Sequence, residues 1–96
     1  MLEQIKRSMR IFHNVMDGDI TKDIAASMKD MQRVGIAKDI ATDSSEDPLI
    51  QKAAELYCKW QNDFEGKGDK YEKAYKNLRD SLSLCDDYIE SEKANV

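Results

Sequence analysis

Two cysteines, one histidine and nineteen carboxylates are the first groups to weigh for chemistry in this 96-residue chain. A nucleophile–base pair or a metal cluster at His13 needs partners close by, and no spacing in the sequence supplies them, so a structural or exposed role is expected. Asp17, Asp19 and Asp23 have the look of a calcium loop. The pattern fails, because glycine falls at the second place and Met28 occupies the twelfth, where a bidentate Glu belongs. Cys58 and Cys85 fit no zinc spacing. In a hairpin turning near Gly66 and Gly68, Cys58 faces a residue near Tyr75, about ten positions from Cys85; at ~1.5 Å rise per residue that is ~15 Å, beyond disulfide reach. Both are read as thiols. The Gly66–Gly68 pair has no strand before it and acidic Asp69 after it, so it is no phosphate loop. No carboxylate lies in an apolar stretch that would raise its pKa. The expectation is a chain that is not an enzyme and holds no metal or cofactor.

Charge narrows the partners. The formal net charge is −4, whereas sequence-independent binding of nucleic acid requires clustered Lys and Arg facing phosphates. Tyr57, Trp60, Phe64, Tyr71 and Tyr75 are spaced as a helical core, with an interface patch as the alternative, rather than as a platform for bases. No apolar run nears the ~20 residues of a membrane span. The start MLEQIKRSMRIFHNV is broken by charges throughout and does not read as a secretory signal, so reduced thiols in a cytosol are expected.

The elements that must position these residues are helical. Val, Ile and Thr are sparse and there is one proline, which favours helices over a sheet. The length gives one domain, burying roughly 65% of its unfolded surface. Leu2, Ile5, Met9 and Phe12 predict a first helix over about 2–12, with Lys6, Arg7 and Arg10 as a basic outer flank. Asn14, Asp17 and Gly18 mark a turn. Ile20, Ile24, Met28, Met31 and Val34 predict a second helix over 19–34, capped by Asp19 and ended at Gly35, with Ala25 and Ser27 allowing close approach of a neighbour. The connection 36–46 is polar, with Ile36 and Ile40 available to pin it. Asp47-Pro48 opens a third helix, whose stripe Ile50, Ala53, Leu56, Tyr57, Trp60 and Phe64 is the richest in the chain. Asp69 and Glu72 have capping-box spacing for a fourth helix carrying Tyr71, Tyr75, Leu78, Leu82 and Cys85. The predicted fold is all-α: a small bundle of about four helices with an antiparallel C-terminal hairpin. Residues 1–85 form the helical domain, and 86–96 a flexible acidic tail.

In order and spacing these segments resemble the head–tail connector (adaptor, or DNA-packaging) proteins of tailed double-stranded DNA phages and prophages. The hairpin carries most of the likeness. Asp47, Pro48, Leu49 and Ile50 open it, Ala53, Tyr57 and Lys59 follow on its first helix, and Tyr71, Tyr75, Leu78, Leu82, Leu84 and Tyr88 follow on the second. IKRSMRI, Asp19-Ile20, Ile24, Ala25-Ala26 and Val34-Gly35-Ile36 extend it through the first half. Gln61-Asn62-Asp63 before Phe64 departs from the family's shorter, more apolar approach to the turn.

The resemblance implies a structural subunit of the phage neck, forming a ring with copies of itself, usually dodecameric, beneath the portal protein. Such a ring extends the DNA channel, lets DNA pass without specific binding, and offers a platform to the next head-completion or tail protein. The place implied is the virion neck, and the host cytoplasm during assembly. Two surfaces are expected to serve assembly: Lys6, Arg7 and Arg10 toward an acidic neighbour, and Tyr88 and Ile89 as tail anchors on a partner. The competing reading is a small monomeric helical inhibitor or immunity-type protein that binds one partner.

Overall fold

A computed structural model describes residues 1–89, and within them the chain forms four α-helices and no strand. The first helix, α1, runs Leu2–Ser8 and is shorter than its apolar spacing predicts. Arg10 adopts a left-handed φ of 58°, and the Ile11 N–H turns back to the Lys6 carbonyl at 2.8 Å. Phe12 therefore leaves the stripe and stands 83% exposed.

The second helix, α2, runs Asp17–Arg33, two residues ahead of the expected start. Asp19 is not its cap: Met16 occupies that position, and Asp17 and Asp19 sit in the first turn, where negative charge meets the positive end of the helix dipole. Its C-terminus follows expectation. Gly35 takes φ 112°, its N–H bonds the Gln32 carbonyl, and the Ile36 N–H bonds the Met31 carbonyl at 3.1 Å. This is the Schellman pairing that satisfies the last carbonyls. Residues 36–47 are pinned more firmly than a polar run suggests. Ile36, Ala37 and Ala41 are buried, and the Gln32 side-chain amide donates to the Ala41 carbonyl at 3.0 Å.

The third helix, α3, runs Pro48–Gln61, with the Leu49 N–H donating to Asp47 Oδ1 at 2.8 Å and proline in the first turn. The turn after it is longer than the two glycines imply, and it lies where the sequence departs from the connector pattern. Asp63, Glu65 and Gly66 all take positive φ, around a 3-10 turn Phe64–Gly66. The fourth helix, α4, runs Gly68–Ser83. The Asp69–Glu72 capping box does not form. Instead Asp63 Oδ1 accepts the Gly68 N–H at 2.8 Å from across the turn, and Asp69 falls inside the first turn. A side chain at Gly68 would crowd this cap, since a Cβ there would stand 2.7 Å from Asp63 Oδ1 and 3.3 Å from the Trp60 carbonyl.

The core forms where α3 packs between α2 and α4. Ile20, Ile24, Met28 and Met31 of α2 meet Ile50, Ala53, Ala54 and Leu56 of α3, with Ile5 and Met9 from the α1 segment and Tyr75 and Leu82 from α4. Ala53 and Ala54 are wholly buried, and their small side chains let the neighbouring helices approach. Each large apolar side chain removed from water contributes roughly 1.5–3 kcal/mol. Along the α3–α4 seam the Tyr57 and Tyr75 rings lie 5.2 Å apart and the Phe64 and Tyr71 rings 6.1 Å apart.

Candidate interaction surfaces

The basic flank expected on α1 splits in two. Arg7 and Arg10 are exposed, but Lys6 is 5% exposed and turned inward, so it is not on the outer flank. Its ammonium meets Asp17 Oδ1 at 2.8 Å and donates to Asn14 Oδ1 at 3.1 Å. A buried ammonium needs partners at this distance, because leaving it unpaired costs several kcal/mol of lost hydration. The pair therefore ties the loop 9–16 back to both helices that flank it. What the loop presents outward is Phe12, His13 and Val15, with Val15 87% exposed. The helical spacing of residues 2–12 concealed this display, since it assigned Phe12 to the buried face.

The C-terminal segment also differs from a free tail. Residues Asp86–Tyr88 form a 3-10 turn. Beyond it Ile89 makes an antiparallel bridge to Ile36, and the Ala37 N–H donates to the Tyr88 carbonyl at 2.8 Å. The Tyr88 hydroxyl donates to Asp47 Oδ2 at 2.8 Å. That bond pushes the phenol up to about 12, because a neighbouring carboxylate opposes its ionisation. Tyr88 and Ile89 are half-buried on the chain's own body, and the folded unit extends at least to residue 89. The rest of the expected tail, 90–96, lies outside the described residues.

A polar node that sequence reasoning missed joins α2 to α4. Asp30 Oδ2 accepts from the Tyr75 hydroxyl and from Arg79, each at 2.8 Å, and Asp30 Oδ1 accepts from Arg33 at 2.7 Å. Partial burial opposes the charge on Asp30, yet the hydrogen bonds from Arg79, Arg33 and Tyr75 outweigh it and hold the carboxyl below its ordinary range. Tyr75 is wholly buried, and burial with the Asp30 contact drives its phenol far upward. Tyr75 and Arg79 stand at i,i+4 spacing on α4, and their common partner lies 45 and 49 residues earlier, beyond the reach of a local pattern.

The ring faces are occupied by cations of the chain itself. Lys59 Nζ lies 5.2 Å from the Phe64 centroid and 5.5 Å from that of Tyr71, and Lys76 Nζ lies 5.4 Å from the Trp60 centroid. Such contacts favour an aromatic cluster that completes the core over one offered to bases. Cys58 is buried, and lack of solvation pushes its thiol up to about 12. Cys85, placed on the α4 stripe by its spacing, falls past the end of the helix and is half-buried. Shallow depressions lie between α1 and α3, beside Ile5 and Pro48, and on α4 near Asp69 and Asn77.

These features define a small all-helical bundle whose polar groups tie helices together and whose surface, among charged residues, exposes Phe12, Val15, Leu49 and Leu84. Residues 1–89 match the family described as phage connector protein, and the chain belongs to that family. The match covers every described residue, and makes the protein a structural component of a phage particle. No curated protein and no solved structure matches the chain. Among the described residues no helix is long and apolar enough to cross a membrane.

Proposed function

We propose that this chain is a structural, non-enzymatic subunit of the phage neck, forming a ring beneath the portal that extends the DNA channel and links head to tail. The observation that carries the reading is the connector-family match across the whole described bundle. A rival role as a monomeric inhibitor finds no comparable support. Twelve copies at −4 each would repel one another, so closure calls for pairing between unlike surfaces of neighbouring subunits. Arg7 and Arg10 are the exposed cations proposed for that pairing, without Lys6, which is engaged internally. An acidic lumen would let DNA pass without sticking.

Tyr88 and Ile89 remain the proposed anchors toward the portal, at a cost: they must exchange the Asp47 and Ile36 contacts for external ones. The decisive experiment is negative-stain imaging of the full chain mixed with the portal protein of the same phage. Rings stacked on the portal are expected. A tight twofold dimer at every concentration, with no density on the portal, overturns the reading.

A further inference from the structure

We infer that opposite ends of this chain form a head-to-tail contact between copies, with Phe12 and Val15 of one copy seated against Leu49 and Leu84 of the next. The inference rests on the ring-subunit reading above and names the surfaces that would close the ring. Phe12, Val15, Leu49 and Leu84 are the large apolar side chains most exposed among the described residues, at 83, 87, 43 and 85%. They fall into two groups at opposite ends of the bundle.

The loop 9–16 joins the end of α1 to the start of α2. The first half of α2 reaches the far end of α3, where Asn62 donates to Asp23 at 3.2 Å. Leu49 lies two residues after Asp47, and Leu84 four residues before Tyr88, the pair joined by the hydroxyl bond that brings both leucines to the near end of α3. Fourteen residues of α3 separate the ends, which at ~1.5 Å rise is ~20 Å. A side chain at one end cannot cover the other end of its own chain across that span. A second copy can, and a contact between two unlike patches is the kind that generates rings.

Charge supports the same pairing. From Gln4 to Met16 the chain contains Lys6, Arg7 and Arg10 and no carboxylate. From Asp39 to Gln51, and again from Asp80 to Ile89, it contains no Lys or Arg, while Glu46, Asp86 and Asp87 are exposed. With Lys6 engaged by Asp17, the exposed cations Arg7 and Arg10 flank the apolar tip, while the exposed carboxylates Glu46, Asp86 and Asp87 lie near Leu49 and Leu84 in sequence. Opposite charges on the two surfaces steer docking and fix register. The loop is also held in its projecting shape. Arg10 is kept at φ 58°, and Lys6 clamps Asn14 and Asp17 from beneath. Backbone strain and a buried ion pair that together hold two apolar side chains in water are unfavourable for an isolated chain, and become useful once a neighbour covers them.

The test is sedimentation velocity on the full-length chain at rising concentration, with helix content monitored by circular dichroism. Wild type is expected to self-associate, and added salt to weaken that association. The double variant Phe12→Ser/Val15→Ser, at positions already in solvent, is expected to keep its helix content and associate about a hundredfold more weakly. Arg10→Glu and Asp87→Arg are each expected to weaken association, and their combination in one chain to restore it. Wild-type association unchanged by Phe12→Ser/Val15→Ser overturns these surfaces while leaving the neck reading intact. A wild-type chain monomeric at every concentration overturns the intrinsic self-contact, and imaging on the portal then decides the neck reading separately.

Discussion

The hydroxyl of Tyr75, in the middle of α4, donates to the Asp30 carboxylate of α2 at 2.8 Å, joining helices that α3 otherwise separates. Tyr75 is wholly buried, so its ring contributes to the core while its oxygen reaches the edge where Arg79 and Arg33 also converge. The Tyr75→Phe variant keeps the ring and removes the bond. It is expected to lose about 1–2 kcal/mol of unfolding free energy in urea, since a bond to a charged acceptor is removed while Arg79 and Arg33 still satisfy Asp30. An unchanged midpoint would show that the hydroxyl bond adds nothing.

The same carboxylate sets an acid limit. The Asp30 carboxyl titrates below its ordinary value of 3.8 because the bonds from Arg79, Arg33 and Tyr75 favour its charged form over the opposing effect of burial. A group with a depressed folded pKa adds stability that is complete above the unfolded value and lost as pH falls through the folded one. Glu55 acts in the same direction, its charge favoured by Lys59 and Lys52 against partial burial. Asp23 acts in the opposite direction, since burial raises its pKa. Subtracting Asp30→Asn from wild type isolates the node. The stability difference is expected to be constant between pH 5 and 7 and to shrink below about pH 4; a difference that grows on acidification would contradict the assignment.

Asp47 carries two roles on its two oxygens. Oδ1 caps α3 through the Leu49 N–H, and Oδ2 receives the Tyr88 hydroxyl. Asp47→Ala is expected to cost about 2 kcal/mol, the sum of a lost cap and a lost strap bond, and Tyr88→Phe about 1 kcal/mol. The double variant should match Asp47→Ala alone, because the Tyr88 bond exists only through Asp47. Full additivity in denaturant melts would rule out that bond.

The two thiols should differ sharply in reactivity. Cys58 is wholly buried with its thiol pushed up to about 12, and the thiolate is the species that reacts. With Ellman's reagent at neutral pH, Cys85 is expected to be modified first, and Cys58 only at the rate of opening or unfolding. Equal fast modification of both would mean that the α2–α3 seam is open.

Much of the framework was legible because its causes are local. Asp47-Pro48 announced α3 through a capping carboxylate and a proline in the first turn, and Gly35 announced the end of α2 through its freedom at positive φ. The all-α class followed from apolar residues recurring every three or four positions. Local signals also misled where a distant group competed. The Asp69–Glu72 spacing promised a cap that Asp63 supplies from across the turn, and the stripe 2–12 promised a helix that ends at Ser8, where the chain turns through Arg10 and Lys6 holds Asn14 and Asp17.

The sequence by itself determined that this chain is helical, where α3 begins, and that it resembles phage connectors, since caps, periodicity and motif order are properties of neighbouring residues. Only the tertiary structure decided that Lys6 faces inward, that Tyr88 closes onto Asp47, and that Phe12 and Val15 stand in water. Those outcomes depend on which buried charges and hydroxyls find partners tens of residues away, and folding selects the arrangement that satisfies them.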